Sequence, residues 1–166
     1  MSKKHRRYSL KSKQTKQLLA EISERLQINM EAIFGPKPNV EIAKLSFGNI
    51  YFINNKPLFF NIEKKVVPTL FFQDFITKSS KIVVNMGAIP YICNGANVMA
   101  PGIVRVEGEF SKGDLVLVVD EKYEKPIAIG ESLYDSASIR NTKHGALIKN
   151  VHFVTDKIWN FAKMFV

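Results

Sequence analysis

Residues 83–119 read VVNMGAIPYICNGANVMAPGIVRVEGEFSKGDLVLVV, and small side chains stand there at positions where an ordinary globular domain carries bulk. Gly87, Ala88, Gly95, Ala96, Ala100 and Gly102 bracket a short apolar segment, and two alternating strand patterns follow it. Asn94-Gly95 marks a helix that ends in a left-handed residue, a conformation glycine adopts without steric cost. Pro101-Gly102 marks a tight turn in which proline presets one central residue and glycine supplies a positive φ at the next. The reading predicts a helix followed by a ledge free of large side chains, where a phosphate or an unstacked base can reach main-chain N–H groups. Close packing of a helix on a sheet accounts for the same glycines and alanines, so the residues alone leave both readings open.

On the N-terminal side, the apolar spacing of Leu18, Leu19, Ile22 and Leu26 predicts a helix over 11–26. Asn29 is placed to cap a second short helix that Gly35-Pro36 ends. VEIAKLSF, NIYFI and KPLFFNI read as strands, and Asn54-Asn55 reads as the hairpin turn between the last two. Phe59, Phe60, Phe71, Phe72 and Phe75 crowd together, and the expectation is a core shared between domains rather than a stacking platform for single-stranded RNA. On the C-terminal side, strands are expected over 104–110, 115–120, 126–134 and 146–154, with a helical turn over 136–140. Asp156 is placed to cap a final helix whose apolar residues Ile158, Trp159, Phe161, Ala162 and Phe165 should dock on a domain.

Composition bounds the function. The chain has 166 residues, enough for one domain or two small ones, and its 46% hydrophobic content excludes disorder throughout. The one cysteine, Cys93, has no partner for an internal disulfide and reads as a small buried hydrophobe. A charged start without an apolar run argues against a signal peptide, and no apolar stretch approaches the roughly 20 residues of a membrane span. Cytoplasmic localisation is therefore expected. The net charge of +9 is uneven: residues 1–25 hold eight basic and two acidic side chains, whereas 81–166 hold ten basic and nine acidic ones. Lys3, Lys4, Arg6, Arg7, Lys11 and Lys13 form a basic arm suited to a polyanion, although a solvated tail has the same composition.

No catalytic constellation stands out. Gly108 and Gly113 have the spacing of a phosphate loop, but Asp114 follows where a Lys-Ser/Thr pair is needed. Glu107 and Glu109 read as neighbours on the solvent face of one strand, opposite Val104 and Val106. No catalytic residue, metal ligand or cofactor is assigned, and a non-enzyme is expected.

The order GAIPYICNGANVMAPGI, VRVEGEFSKGDLVLVV, KPIAIGESLYDS and KHGALIKNVHFVTD resembles the PUA domain, an RNA-binding pseudo-barrel of pseudouridine synthases, archaeosine transglycosylases and translation-associated proteins. The elements that carry the resemblance are Gly87-Ala88 opening the helix, the NGANVMAPGI loop, the Gly113-Asp114 turn, the Ala128 to Gly130 stretch and the HGALIKNVHF strand. The likeness extends upstream to Pro68 and downstream to Trp159, and is strongest to the translation-machinery-associated subgroup similar to the malignant-T-cell-amplified-sequence protein.

The resemblance implies an α+β chain: a basic arm and small N-terminal α/β domain with an antiparallel sheet over 1–78, a PUA pseudo-barrel over 79–155, and a C-terminal helix over 156–166. It implies an RNA groove with Gly87, Ala88, Asn94, Gly95, Ala96, Asn97, Ala100 and Pro101 on one side and Lys143, His144, Gly145 and Ala146 on the other. Lys81 and Arg105 are the charges expected to reach phosphates. Non-catalytic binding of structured RNA, tRNA or rRNA, follows from it, with the small ribosomal subunit and a translation protein as further partners. The alternatives are an RNA-modification enzyme or its accessory subunit, and a protein-interaction adaptor.

Overall fold

The structure, a computed structural model, describes residues 6–166. The described residues divide into two compact units, 6–72 with 161–166, and 73–160.

The first unit is built from β1 (Arg7–Ser9), α1 (Ser12–Leu26), α2 (Met30–Phe34), β2 (Val40–Leu45), β3 (Gly48–Ile53), β4 (Lys56–Ile62) and β5 (Lys65–Pro68), with the strands in the sheet order β1-β2-β3-β4-β5. Leu18 and Ile22, one helical turn apart, give α1 its buried face. The Asn29 side chain accepts from the Ala32 N–H at 3.1 Å, and Gly35 at φ 81° ends α2, as its sequence suggests. Asn54 and Asn55 both have positive φ, 51° and 68°, which closes β3 onto β4 by a two-residue turn whose twist matches the strands. A second turn of the same kind joins β4 to β5 through Glu63 and Lys64 at 48° and 65°. It carries none of the Asn or Gly signal that would have announced it.

Part of the predicted basic arm is a strand. Arg7–Ser9 pairs antiparallel with β2, Arg7 opposite Ala43 and Ser9 opposite Glu41. The Arg7 guanidinium lies 3.7 Å from Glu41 and 4.5 Å from the centre of the Phe52 ring. Arg7 is thus a structural residue rather than a free cation of the arm, because the sheet edge and an aromatic face fix it. Arg6, Lys11 and Lys13 are exposed, while Lys3 and Lys4 lie outside the described residues. Phe59, Phe60 and Phe72 are buried, with Phe72 4.9 Å from Phe59 and stacked at 6.0 Å on Phe34, so these rings form core rather than a platform for bases.

The second unit contains α3 (Gln73–Lys78), β6 (Lys81–Val84), α4 (Ile89–Ile92), β7 (Val98–Met99), β8 (Ile103–Glu107), β9 (Leu115–Asp120), β10 (Pro126–Ser132), α5 (Ser136–Asn141), β11 (Ala146–Phe153) and the start of α6 (Lys157–Lys163). Its six strands form one sheet in the order β7-β11-β10-β9-β6-β8, antiparallel throughout except where β6 runs parallel to β9. The sheet curls around a core to which Ile82 and Val84 of β6 and Val116 and Val118 of β9 contribute by strict alternation. A bulge at Ile129/Gly130 lets β10 and β11 approach closely: a Cβ on Gly130 would collide with the Ile148 side chain and lie 2.9 Å from the Lys149 carbonyl.

The sequence boundary at residue 78 shifts, since α3 belongs to the second unit and the units divide after Phe72. Asp156 caps α6, its carboxylate accepting from the Trp159 N–H at 2.7 Å and the Phe153 N–H at 2.9 Å. Residues 161–166 return to the first unit, where Phe161 meets Phe52 edge-on at 6.3 Å. Glu107 and Glu109 do not share a strand face as expected. β8 ends at Glu107, Gly108 turns the chain at φ 97°, and Glu109 bonds to Ser136 and Arg140 of α5.

Candidate nucleic-acid interface

The ledge begins where β6 ends. The Asn85 side chain accepts from the Ala88 N–H at 2.9 Å and so closes the short 3₁₀ turn (Met86–Ala88) that leads into α4. α4 stops in two reciprocal bonds, Gly95 N–H to the Ile92 carbonyl and Ala96 N–H to the Tyr91 carbonyl, both 3.0 Å, with Gly95 at φ 96°. This is the left-handed helix end expected of Asn94-Gly95.

Pro101-Gly102 behaves differently from its sequence reading. The segment is a 3₁₀ turn (Ala100–Gly102), and Gly102 is not among the positive-φ residues. Close approach favours a small residue there: a Cβ would stand 3.2 Å from the Ala88 Cβ, while the Gly102 carbonyl accepts from the Asn85 N–H at 2.9 Å.

Closing strand β11 completes the site. β7 pairs with it, Met99 opposite Ala146 and Val98 opposite Ile148. The Ala100 N–H donates to the Gly145 carbonyl at 2.9 Å. The ledge and the 143–146 segment therefore stand side by side, as the two expected walls require. Asn150 locks them: its side-chain amide donates to the Ile92 and Ala96 carbonyls at 2.9 Å each, and its backbone N–H donates to the Asn97 side chain at 3.0 Å. Sequence reasoning missed Asn150, because a lone asparagine in a strand carries no motif.

Asn94, Gly95, Ala96, Asn97, Pro101, Lys143, His144 and Gly145 are exposed, as is Gly87, and Ala88 and Ala146 are half-buried. Ala100 is not available, since its side chain belongs to the core. Lys81 opens β6, whereas the ledge leaves from the far end of that strand, and the Lys81 ammonium donates to the Ser79 carbonyl at 3.2 Å. Arg105 is held by Glu107 at 2.9 Å and Glu124 at 2.6 Å, which raises its pKa further and offsets its charge. A cavity of about 370 Å³ links Arg105 to the ledge through Ala100, Ile103 and Thr142. Two exposed apolar side chains that the sequence did not single out, Tyr91 at 71% and Met99 at 49%, give the ledge flat surface suited to a base.

Cys93 lies half-buried against the core, and burial pushes its thiol pKa up, which disfavours the thiolate. Among the described residues no group of three His, Cys, Asp or Glu could hold a metal ion, and no helix is long and apolar enough to cross a membrane.

A family model described as the PUA domain matches residues 80–154, and one described as a domain of unknown function (DUF1947) matches residues 6–73. An uncharacterized protein of Methanocaldococcus jannaschii is 38% identical over 157 residues, covering 94% of this chain and 96% of the relative. The chain belongs to the PUA-domain family. Translation machinery-associated protein 20 of Saccharomyces cerevisiae is 25% identical over 169 residues, covering 95% and 93% of the two chains. The crystal structure of a hypothetical protein from Pyrococcus horikoshii superposes with a TM-score of 0.80 at 31% identity, over 95% of this chain and 99% of that one. The PUA match ends one residue past β11, and so contains both walls of the site.

The hairpin joining β9 to β10 borders the same surface. Asp120 is buried, which by itself raises its pKa, but backbone N–H groups of Tyr123, Lys125, Lys122 and Glu124 outweigh burial and hold it below the ordinary carboxylate value. A depressed native pKa contributes stability that is full above the unfolded-state value of about 3.9 and is lost as pH falls through the native value. Asp120→Asn is therefore expected to lower the melting temperature at neutral pH and to flatten its decline on acidification below pH about 4. An acid melting profile identical to wild type would show that the carboxylate does not hold this hairpin.

Proposed function

We propose that this protein binds structured RNA of the translation apparatus through the ledge and the 143–146 segment of its PUA unit, and acts by binding rather than by catalysis. The observation that carries the reading is the Asn150 lock together with the Gly145–Ala100 bond, which presents main-chain groups, small side chains and Tyr91 on one surface bounded by Lys143 and His144. Such a surface reads shape, 2′-hydroxyls and unstacked bases rather than charge alone. Similarity to a translation machinery-associated protein along nearly the whole chain supports tRNA or rRNA as the RNA, the small ribosomal subunit and a translation protein as further partners, and the cytoplasm as the place.

The test is Ala96→Glu. The side chain is exposed, so the fold should persist with little change in melting, while a carboxylate on the ledge repels phosphate. Affinity for tRNA or rRNA fragments, measured by fluorescence anisotropy, is expected to fall about tenfold, equivalent to roughly 1.4 kcal/mol. In the same assay, replacing Lys3, Lys4, Arg6 and Lys13 with serine should flatten the logarithmic salt dependence by roughly 0.7 to 0.9 for each phosphate that the arm no longer neutralises. Undiminished affinity in Ala96→Glu removes the ledge from the interface, and a modified nucleoside that scales with protein amount overturns the binding-only reading.

A further inference from the structure

We infer that the tip of the β9–β10 hairpin is a second RNA-binding point, in which Tyr123 stacks on an unpaired base while Lys122 and Lys125 meet the phosphates beside it. The inference rests on the RNA-binding reading above and extends it to a surface formed by neither the ledge nor the closing strand.

Three observations converge on this tip. Tyr123 is 62% exposed, and the Lys122 and Lys125 ammonium groups lie 5.1 and 5.6 Å from its ring centre. Among the described residues neither lysine is held in an ion pair, while the acidic groups of the hairpin are engaged by other partners. Asp120 accepts from the Lys122 and Lys125 N–H groups at 2.9 Å each and also from that of Tyr123. Glu121 accepts from the Met86 N–H at 3.3 Å, and Glu124 holds Arg105. A hairpin that carries three acidic and two basic residues over 120–125 thus shows solvent an exposed aromatic ring with two lysines beside it. The pattern suits nucleic acid, since every base offers a face to stack on and every nucleotide brings a phosphate.

The tip is also fixed in place relative to the ledge. The Glu121 N–H donates to the Val84 carbonyl at 2.9 Å, so the hairpin root is tied to the end of β6 from which the ledge departs. The Glu121–Met86 bond attaches it to the 3₁₀ turn carrying Gly87 and Ala88. A strand leaving the ledge on that side meets a ring that is already oriented, which limits the ordering cost of stacking.

The experiment uses the full chain and two labelled probes, a blunt RNA hairpin and the same hairpin with single-stranded extensions of about six nucleotides at both ends. Tyr123→Ala is expected to weaken binding of the extended probe about five- to tenfold and to leave the blunt probe unaffected, whereas Tyr123→Phe retains wild-type affinity for both. Exposure of the ring predicts unchanged melting in both variants. If Tyr123→Ala binds the extended probe like wild type while Ala96→Glu does not, the hairpin takes no part in binding and the ledge stands. If Tyr123→Phe loses as much as Tyr123→Ala, the hydroxyl and not the ring is responsible, and the stacking assignment falls. If wild type binds neither probe at any salt concentration, both assignments fall together.

Discussion

Replacing Phe72 with serine is expected to cost on the order of 4 kcal/mol and to lower the melting temperature by tens of degrees for a unit of this size. Phe72 is 2% exposed, and its ring lies against Phe59 at 4.9 Å and Phe34 at 6.0 Å. Serine leaves a cavity where the ring stood and adds a hydroxyl in apolar surroundings. The local backbone offers no compensation, because the Thr69 hydroxyl already bonds the Pro57 carbonyl at 2.8 Å and the Thr69 carbonyl already accepts from Phe72. Circular dichroism melting checks the size of the effect, and RNA affinity should follow the folded fraction. A variant that melts like wild type yet loses RNA would turn the aromatic cluster into a binding surface.

Gly130→Ala should be nearly as damaging, at about 3 kcal/mol, although only a methyl group is added. The new Cβ collides with the side chain of Ile148, which is fully buried, and presses on the Lys149 carbonyl, so neither neighbour can move aside cheaply. The strain falls between β10 and β11, one strand from the pairing of Ile148 with Val98 that holds the ledge. Hydrogen exchange at the Asn150 amide should accelerate along with the loss of stability, and RNA affinity should drop even at temperatures where the variant remains folded. Retention of wild-type exchange at Asn150 would show that the bulge and the ledge are mechanically separate.

What was legible in the sequence followed from local chemistry. Asn54-Asn55 and Asn94-Gly95 place residues at positive φ that tolerate it, and Asn29 and Asp156 cap helices because their oxygens reach free N–H groups. What is not legible there is what a tertiary neighbour decides. Gly102 is small because the fold brings Ala88, distant in sequence, against it, and the Glu63-Lys64 turn is imposed by the pairing of β4 with β5. Arg7 reads as one more cation of a basic run until Glu41 and the Phe52 ring are brought beside it. Arg105, a phosphate ligand by its place after the loop, is answered by Glu107 two residues on, which was visible, and by Glu124 from the neighbouring hairpin, which was not. The two walls are expected from family resemblance, whereas Asn150, Tyr91 and Met99 emerge only from their packing and exposure.

Arg140 has one further effect. β8 ends the six-stranded sheet, and a terminal strand with unpaired carbonyls is a template on which a second chain can extend the ladder. The Arg140 guanidinium donates to the Gly108 carbonyl at 2.8 Å and the Val106 carbonyl at 3.4 Å, while Glu109, held below its usual pKa by Ser136 and by Arg140 itself, anchors it at 2.8 Å. A planar cation thus covers the margin where polymerisation by strand addition would start. At the opposite margin β7 is two residues long and gives an incoming strand little to align with. The curled sheet thus keeps two open margins, one covered by the Arg140 side chain and the other too short to serve as a template.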